Sequence, residues 1–278
     1  MKYLNEVWGS RELLFNLTSR EVRGKYKRTV FGQLWSLVNP LALMLIYTFV
    51  FGFIFKSNPP PGSPSGLDVF PLWLLCGLLP WTFFSSVVST SAGSLVANSG
   101  LIQKVSFSRI VLPLSTVGAS AYNWAFEMVV LLIAITIAGG FVLPWLPLVI
   151  VAMALLAVFA AGIGLLFSIM TVYFRDTEYL LGIVLQFWIY LTPIIYPISL
   201  VTNESAKHDG LLGTPITILG LYELNPMVHF TAIFRELIYD NRWPDTNEWL
   251  ICVLWSLAAI GFGMLVFRKN ERNLAEAL

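Results

Sequence analysis

Six apolar stretches, at about 34–55, 69–97, 110–138, 148–170, 179–197 and 250–267, set the terms for this chain of 278 residues. A hydrocarbon core about 30 Å thick is crossed by ~20 helical residues at ~1.5 Å each, and every run comes near that length. Inside lipid the backbone has no water to bond, so runs of this kind must pair their amides within themselves. The expected fold class is therefore all-α and integral to a membrane, with six transmembrane helices. Composition agrees: 57% hydrophobic and 12% charged residues leave too little polarity for an ordinary soluble surface. The first run follows a long charged segment, with no short early apolar region of the leader type, so the spans themselves are expected to direct insertion.

Orientation follows from charge. Arg20, Arg23, Lys25, Lys27 and Arg28 stand directly before span 1, and excess Lys and Arg mark the cytoplasmic side. With both termini cytoplasmic, all but four of the 17 basic residues fall inside; Lys56, Lys207, Arg235 and Arg242 remain outside. Residues 1–33 form a first unit, in which Leu4, Val7, Trp8, Leu14 and Phe15 share one helical face. That pattern predicts an amphipathic interface helix lying on the inner leaflet, with the basic run drawn to anionic lipid by about 1 kcal/mol per charge. Residues 34–278 form the six-span domain.

Several spans carry more than hydrophobicity. Span 2 contains Ser85, Ser86, Ser89, Thr90, Ser91 and Ser94, a density of hydroxyls that suits helix contacts or a polar passage better than lipid. Span 3 holds Asn123 and Glu127 one turn apart. Counted from Ile110 at ~1.5 Å per residue, Glu127 lies roughly 25 Å along the helix, well inside the membrane. A carboxylate there is either functional or hydrogen-bonded to a neighbouring helix. Ala160, Ala161, Gly162 and Gly164 give span 4 a small-residue surface for close helix approach. Pro193 and Pro197 should break span 5 before it leaves the membrane, which requires protein or a wet cavity to satisfy the freed backbone. In the long external interval after it, Asn225-Pro226 starts a short helix with Met227, Phe230, Ile233, Phe234 and Leu237 on one face, expected to re-enter the membrane.

Catalytic and ligand motifs are missing from the sequence. Gly24-Lys25 lacks the upstream glycine and following hydroxyl of a phosphate-binding loop, and no G-x-S-x-G occurs. His208 and His229 have no partner at metal-ligand spacing, and Cys76 and Cys252 stand far apart in apolar runs. Movement of something across the membrane is the class that remains. An ion-coupled carrier using Glu127 would be expected to show two similar halves and further intramembrane charges, and neither is visible.

The ordered succession R-E-V-R-G-K-Y-K-R, G-Q-L-W-S-L-V-N-P, Y-T-F-V-F-G, Q-K-V-S-F-S-R-I-V-L-P, F-R-D, T-P-I-I-Y-P and L-N-P resembles the membrane subunit of type-2 ABC exporters. Within these it is similar to the branch that exports lipid-linked cell-surface polymers, O-antigen polysaccharide and wall teichoic acid. One departure is Ser108-Arg109, where many members have proline two residues after the serine-phenylalanine start. The resemblance implies a permease in a bacterial plasma membrane, not itself an enzyme, working as a homodimer with two separate ATPase subunits. ATP and magnesium would belong to those partners; this chain would bind no cofactor, metal or nucleic acid. Its substrate would be a polyprenyl-pyrophosphate-linked polymer, with a slight lean toward teichoic acid over O-antigen polysaccharide; the alternative is the same architecture exporting another lipid or a drug. On these residues it implies a cytoplasmic substrate gate at Arg20, Arg23, Lys25, Lys27 and Arg28, charges that membrane orientation alone explains nearly as well. Coupling to the ATPase falls to Gln103, Lys104, Ser106, Arg175, Asp176 and Glu178. An external gate falls to Tyr190, Pro193, Tyr196, Pro197, Asn225 and Pro226.

Overall fold

The computed structural model describes residues 9–27, 29–54, 56, 61–105, 107–207 and 217–277, and the regular elements among them are all helices, with no strand. Leu4, Val7, Trp8, Arg28, Ser106 and His208 lie outside the described residues. In chain order the main helices are α1 (Arg11–Tyr26), α2 (Trp35–Tyr47), α3 (Phe70–Ala97), α4 (Ser99–Lys104), α5 (Val111–Ile137) and α6 (Leu146–Tyr173). They are followed by α7 (Thr177–Tyr190), α8 (Ile198–Ser205), α9 (Ile218–Glu223), α10 (Pro226–Arg235) and α11 (Thr246–Asn270). A 3₁₀ turn at Gly32–Leu34 and a π-helical stretch at Thr48–Ile54 extend α2 into span 1.

Five of these helices are long and apolar enough to cross a membrane: Gly32–Ile54, Phe70–Ala97, Val111–Ile137, Leu143–Tyr173 and Thr246–Asn270. They match the expected spans 1, 2, 3, 4 and 6 to within a few residues. The expected span 5 is shorter. Its helix, α7, has 14 residues, ~21 Å of rise, and gives way to a turn at Leu191 ahead of Pro193. Proline removes a helix donor and crowds the preceding turn, which accounts for the stop.

Span 2 is the centre of the bundle. Within its apolar stretch 72% is buried by the rest of the chain, against 6% for span 1, so α3 is the element on which the others are assembled. Its Phe84 stacks on Phe159 of α6 and its Phe83 on Trp124 of α5. The small-residue surface of span 4 meets span 6 and span 2. A Cβ added to Gly162 would lie 2.3 Å from the Ala259 carbonyl carbon, one on Gly263 would lie 2.3 Å from the Gly162 oxygen, and one on Gly164 would lie 2.8 Å from the Ser91 side chain. Without an oil–water difference between helices, such close van der Waals fit is what holds spans together.

The helix of the first unit is held against span 3. α1 packs lengthwise on α5 and runs in the same direction: Thr18 reaches the Ser115 carbonyl at 3.5 Å and covers Gly118, while Lys25, seven residues on, shares a pocket with Glu127. Leu17 is buried with Ile110, Val111 and Leu112, and that burial together with the clearance at Gly118 accounts for the packing of α1 along α5.

Loop contacts sort the ends of the bundle. Arg109 bonds Glu271, and the Tyr173 hydroxyl lies 3.5 Å from Asn270 Oδ1, so the connections after α3 and α6 meet the C-terminal segment at the end where α1 begins. At the other end Ser65 bonds the Tyr239 carbonyl, and the Phe141 amide bonds Asn241 Oδ1. There Asn241 adopts a left-handed φ of 58°, a conformation asparagine tolerates better than most residues.

Candidate functional site

Two polar cavities lie along α3. The first, about 390 Å³, opens between the C-terminal end of α1, the start of span 1, α3 and α5. Lys25 and Glu127 both line it, close enough for their charges to interact, and Asn123 lies one turn below Glu127. Thus one member of the basic run and the two polar residues of span 3 form one site. The sequence reading had Glu127 either functional or bonded to a neighbouring helix; the packing of α1 along α5 brings a cation to the same cavity. Nearby, the Tyr122 hydroxyl lies 3.5 Å from Gln33 Oε1, where span 1 begins. Trp35, Ser36, Asn39, Thr82, Ser86, Ser120 and Trp124 complete the walls.

The other basic residues are arranged differently. Arg20 is held by Glu21 at 3.0 Å and by Asn98 Oδ1 at 2.9 Å, which ties α1 to the end of span 2. Arg23 and Lys27 are exposed. The second cavity, about 650 Å³, lies on this side and is lined by Glu21, Ser89, Thr90, Ser94, Asn98, Thr116 and Glu178. Glu178 leans over Gly93, where an added Cβ would meet its Oε1 at 2.7 Å. Gln103 and Lys104 end the short α4, and Arg175, Asp176 and Glu178 form the turn into α7; all five are exposed. Between those connections sits the Arg109–Glu271 contact, which the sequence does not reveal because its partners are 162 residues apart.

At the opposite end the residues expected around the external gate are gathered by hydrogen bonds. Asn225 caps α10 by accepting from the Met227 amide at 3.0 Å. Its Oδ1 also accepts from Trp188 Nε1 at 2.8 Å, and its Nδ2 donates to the Leu191 carbonyl and to Thr192 Oγ1. One side chain therefore joins the start of α10 to the broken end of α7. Pro226 occupies the first turn, where its missing N–H costs nothing. Tyr196 donates to the Tyr190 carbonyl at 2.7 Å and pairs with the Tyr222 hydroxyl at 2.9 Å. Pro193 is buried in the turn, and Pro197 precedes α8.

Arg235 completes this assembly, and counting it as one of four external charges had missed its role. Its guanidinium donates to the Pro193 carbonyl at 2.5 Å and to the Ile194 carbonyl at 2.6 Å, and lies 3.7 Å over the Trp73 ring. These are carbonyls that the break in the helix leaves without partners, and a forked cation is well suited to satisfy both. Further along, His229 sits between Glu248 Oε2 at 2.6 Å and the Glu223 carbonyl at 2.7 Å. Burial pushes its pKa down, but the hydrogen bond to Glu248 and that to the Glu223 carbonyl outweigh it and hold the pKa above the usual histidine value. With an acceptor at each nitrogen, only the imidazolium satisfies both. Of the aromatics, Trp73 and Trp81 are buried in the core, Trp81 against Trp188, while Trp35 and Tyr190 stay exposed.

Comparison with known proteins bears on what this arrangement serves. A family model described as ABC-2 type transporter matches residues 12–207. The chain is 26% identical over 278 residues to an O-antigen export system permease protein RfbA of Myxococcus xanthus, covering all of both chains. A Klebsiella pneumoniae RfbA is 28% identical over 273 residues, with 96% of this chain and 95% of that one covered. The polysialic acid transport protein KpsM of Escherichia coli is 26% identical over 261 residues, 92% of each. Such full-length likeness, joined to a bundle of apolar spans, makes this a multi-pass membrane protein that belongs to the ABC-2 type transporter family, as its permease component.

Proposed function

We propose that the chain is the permease subunit of an ATP-driven exporter that moves a lipid-linked cell-surface polysaccharide, of O-antigen or capsule type, out of the cytoplasm. The observation that carries this is one face of span 2. Thr82, Ser86, Ser89, Thr90, Gly93 and Ala97 recur at helical spacing over ~22 Å and line the two polar cavities, Ser89 and Thr90 being exposed. On the most buried helix of a membrane bundle, an open hydroxyl face suits a hydroxyl-rich substrate and does not suit lipid. The printed names of the relatives support the substrate class. None of them supports the lean toward teichoic acid.

The reading includes six crossings with both termini cytoplasmic. The shared position of α1 and the C-terminal segment at one end of the bundle supports this reading, in which α7 with its broken end is the crossing beyond the five long helices. Two copies would work with two ATPases, which would press on the connections around Gln103–Lys104 and Arg175–Glu178. Deleting the gene is expected to abolish surface polysaccharide and leave lipid-linked polymer inside the cell, with recovery on complementation. Unchanged surface polysaccharide in the deletion strain would overturn the assignment.

A further inference from the structure

The short helix α4 buries one side chain, Ile102. With 6 residues it is marginal by itself, because so few backbone bonds do not offset the cost of nucleating a helix. What holds it comes from the far end of the chain. The segment after span 6, a 3₁₀ turn at Glu271–Asn273 and a helical turn at Leu274–Ala277, packs on both α4 and α6. Leu274 is 0% exposed and shares a cluster with Ile102 of α4 and with Ile169 and Val172 of α6. Around it, the Arg109 amide donates to Glu271 Oε1 at 3.0 Å, and the Arg109 guanidinium donates to the Glu271 carbonyl. The Tyr173 hydroxyl lies 3.5 Å from Asn270 Oδ1; Tyr173 ends α6, and the turn at 175–178 follows directly. One segment therefore touches both connections that the exporter reading gives to the ATPase. Its contacts face inward, while Gln103, Lys104, Arg175, Asp176 and Glu178 stay exposed.

Resting on the exporter reading above, we propose that residues 271–277 are a clamp that makes the two connections move as one, with Arg109, Glu271 and Leu274 as its positioning residues. A push on the exposed side of α4 meets Ile102 and Leu274 behind it. It thereby reaches the end of α6 and the base of span 6 instead of swinging α4 about its links to spans 2 and 3. Arg109 stands just ahead of α5, so its two bonds also tie the start of span 3 to the clamp. Close-packed protein passes such a displacement on, having little compressibility with which to absorb it. The clamp does not decide whether the ATPase binds; it decides whether hydrolysis is converted into movement of substrate.

The test uses the permease–ATPase complex in proteoliposomes with the lipid-linked polymer recovered from the deletion strain, and compares wild type with Arg109→Ala/Glu271→Ala. Amide exchange at 99–104 and 271–277 should rise at least about tenfold in the double variant, the scale of one hydrogen bond with a charged partner. ATPase binding and the KM for ATP should hold, while the polymer moved per ATP hydrolysed falls. Should the double variant fail to assemble, Leu274→Ala gives the same reading. A second pair, Arg109→Cys/Glu271→Cys, separates coupling from folding. It should show the same loss, a short bis-methanethiosulfonate bridge should restore transport per ATP, and a reductant should remove it again; the native Cys76 and Cys252 are buried and stay out of the reaction. Unchanged transport per ATP in the double variant or in the open cysteine pair would overturn the clamp. So would a loss that the bridge does not restore, or one that comes entirely from weaker ATPase binding. Wild-type complex that moves no polymer when ATP is supplied would instead overturn the exporter reading.

Discussion

Replacing Arg235 by methionine would remove both donors that serve the broken end of span 5 while keeping much of the side chain's bulk. The guanidinium makes two hydrogen bonds, to the carbonyls of Pro193 and Ile194, and a stacked contact with Trp73. A hydrogen bond from a charged donor contributes ~1.5–3 kcal/mol, and the cation–ring contact adds about 1 kcal/mol. Loss of all three is expected to cost about 4–7 kcal/mol, because methionine leaves the two carbonyls without donors in a site that excludes water. Opening of the turn at 191–196 should then become at least roughly a thousandfold more frequent, at about 1.4 kcal/mol per decade. Amide hydrogen exchange of the complex in nanodiscs reads this directly: protection at 191–196 should collapse, while that of α3 and α6 holds. Arg235→Lys should fall between, since an ammonium is a point donor that cannot span both carbonyls with the same fork. Unchanged protection in Arg235→Met would refute the proposal that this side chain closes the external break.

Four further outcomes follow from other contacts. Gly162→Ala places a methyl within 2.3 Å of the span 6 backbone and should lower thermal stability by about 1–3 kcal/mol, whereas Gly261→Ala, with open space around it, should be neutral or slightly stabilising; thermal unfolding of the two variants checks the contrast. His229 gains its proton affinity from Glu248 and the Glu223 carbonyl. That contribution is complete below the unfolded value of about 6.5 and is lost as pH rises through the raised folded value, so stability of the α9–α10 region should decline over that interval in the wild type and lose the dependence in Glu248→Gln, measured as melting temperature against pH. Asn225→Ala should loosen α10 from α7 and cost about 1–3 kcal/mol, read by the same exchange experiment, because it removes a helix cap and the acceptor of the Trp188 indole. Neutralising Arg20, Arg23 and Lys25 together should impair export and leave membrane insertion and ATPase association intact; normal export would reduce these charges to determinants of orientation.

Spans 1–4 and 6 could be placed from the sequence because a 20-residue apolar run has few alternatives, and the small residues at Gly162 and Gly164 marked where helices touch. Proline chemistry at Pro193 and Pro226 also located the break and the cap. What periodicity could not provide was tilt and depth. α1 has apolar residues enough to suggest a leaflet-bound helix, but its pattern does not show that Leu17 and the clearance over Gly118 set it against span 3, and only that packing unites Lys25 with Glu127. Arg235 was hidden for a similar reason: an arginine outside the long spans reads as a surface charge until its carbonyl partners, more than 40 residues earlier, fold back onto it. His229 likewise has no ligand spacing, because its partner Glu248 belongs to the next helix.

Reconstitution tests the assignment most directly. The permease and its ATPase, placed together in proteoliposomes with a lipid-linked oligosaccharide on the ATPase side, should move that substrate to the opposite face only when ATP is supplied. Movement by the permease alone, driven by an ion gradient without ATPase or ATP, would contradict the exporter account and point to Glu127 as the coupling group of a carrier.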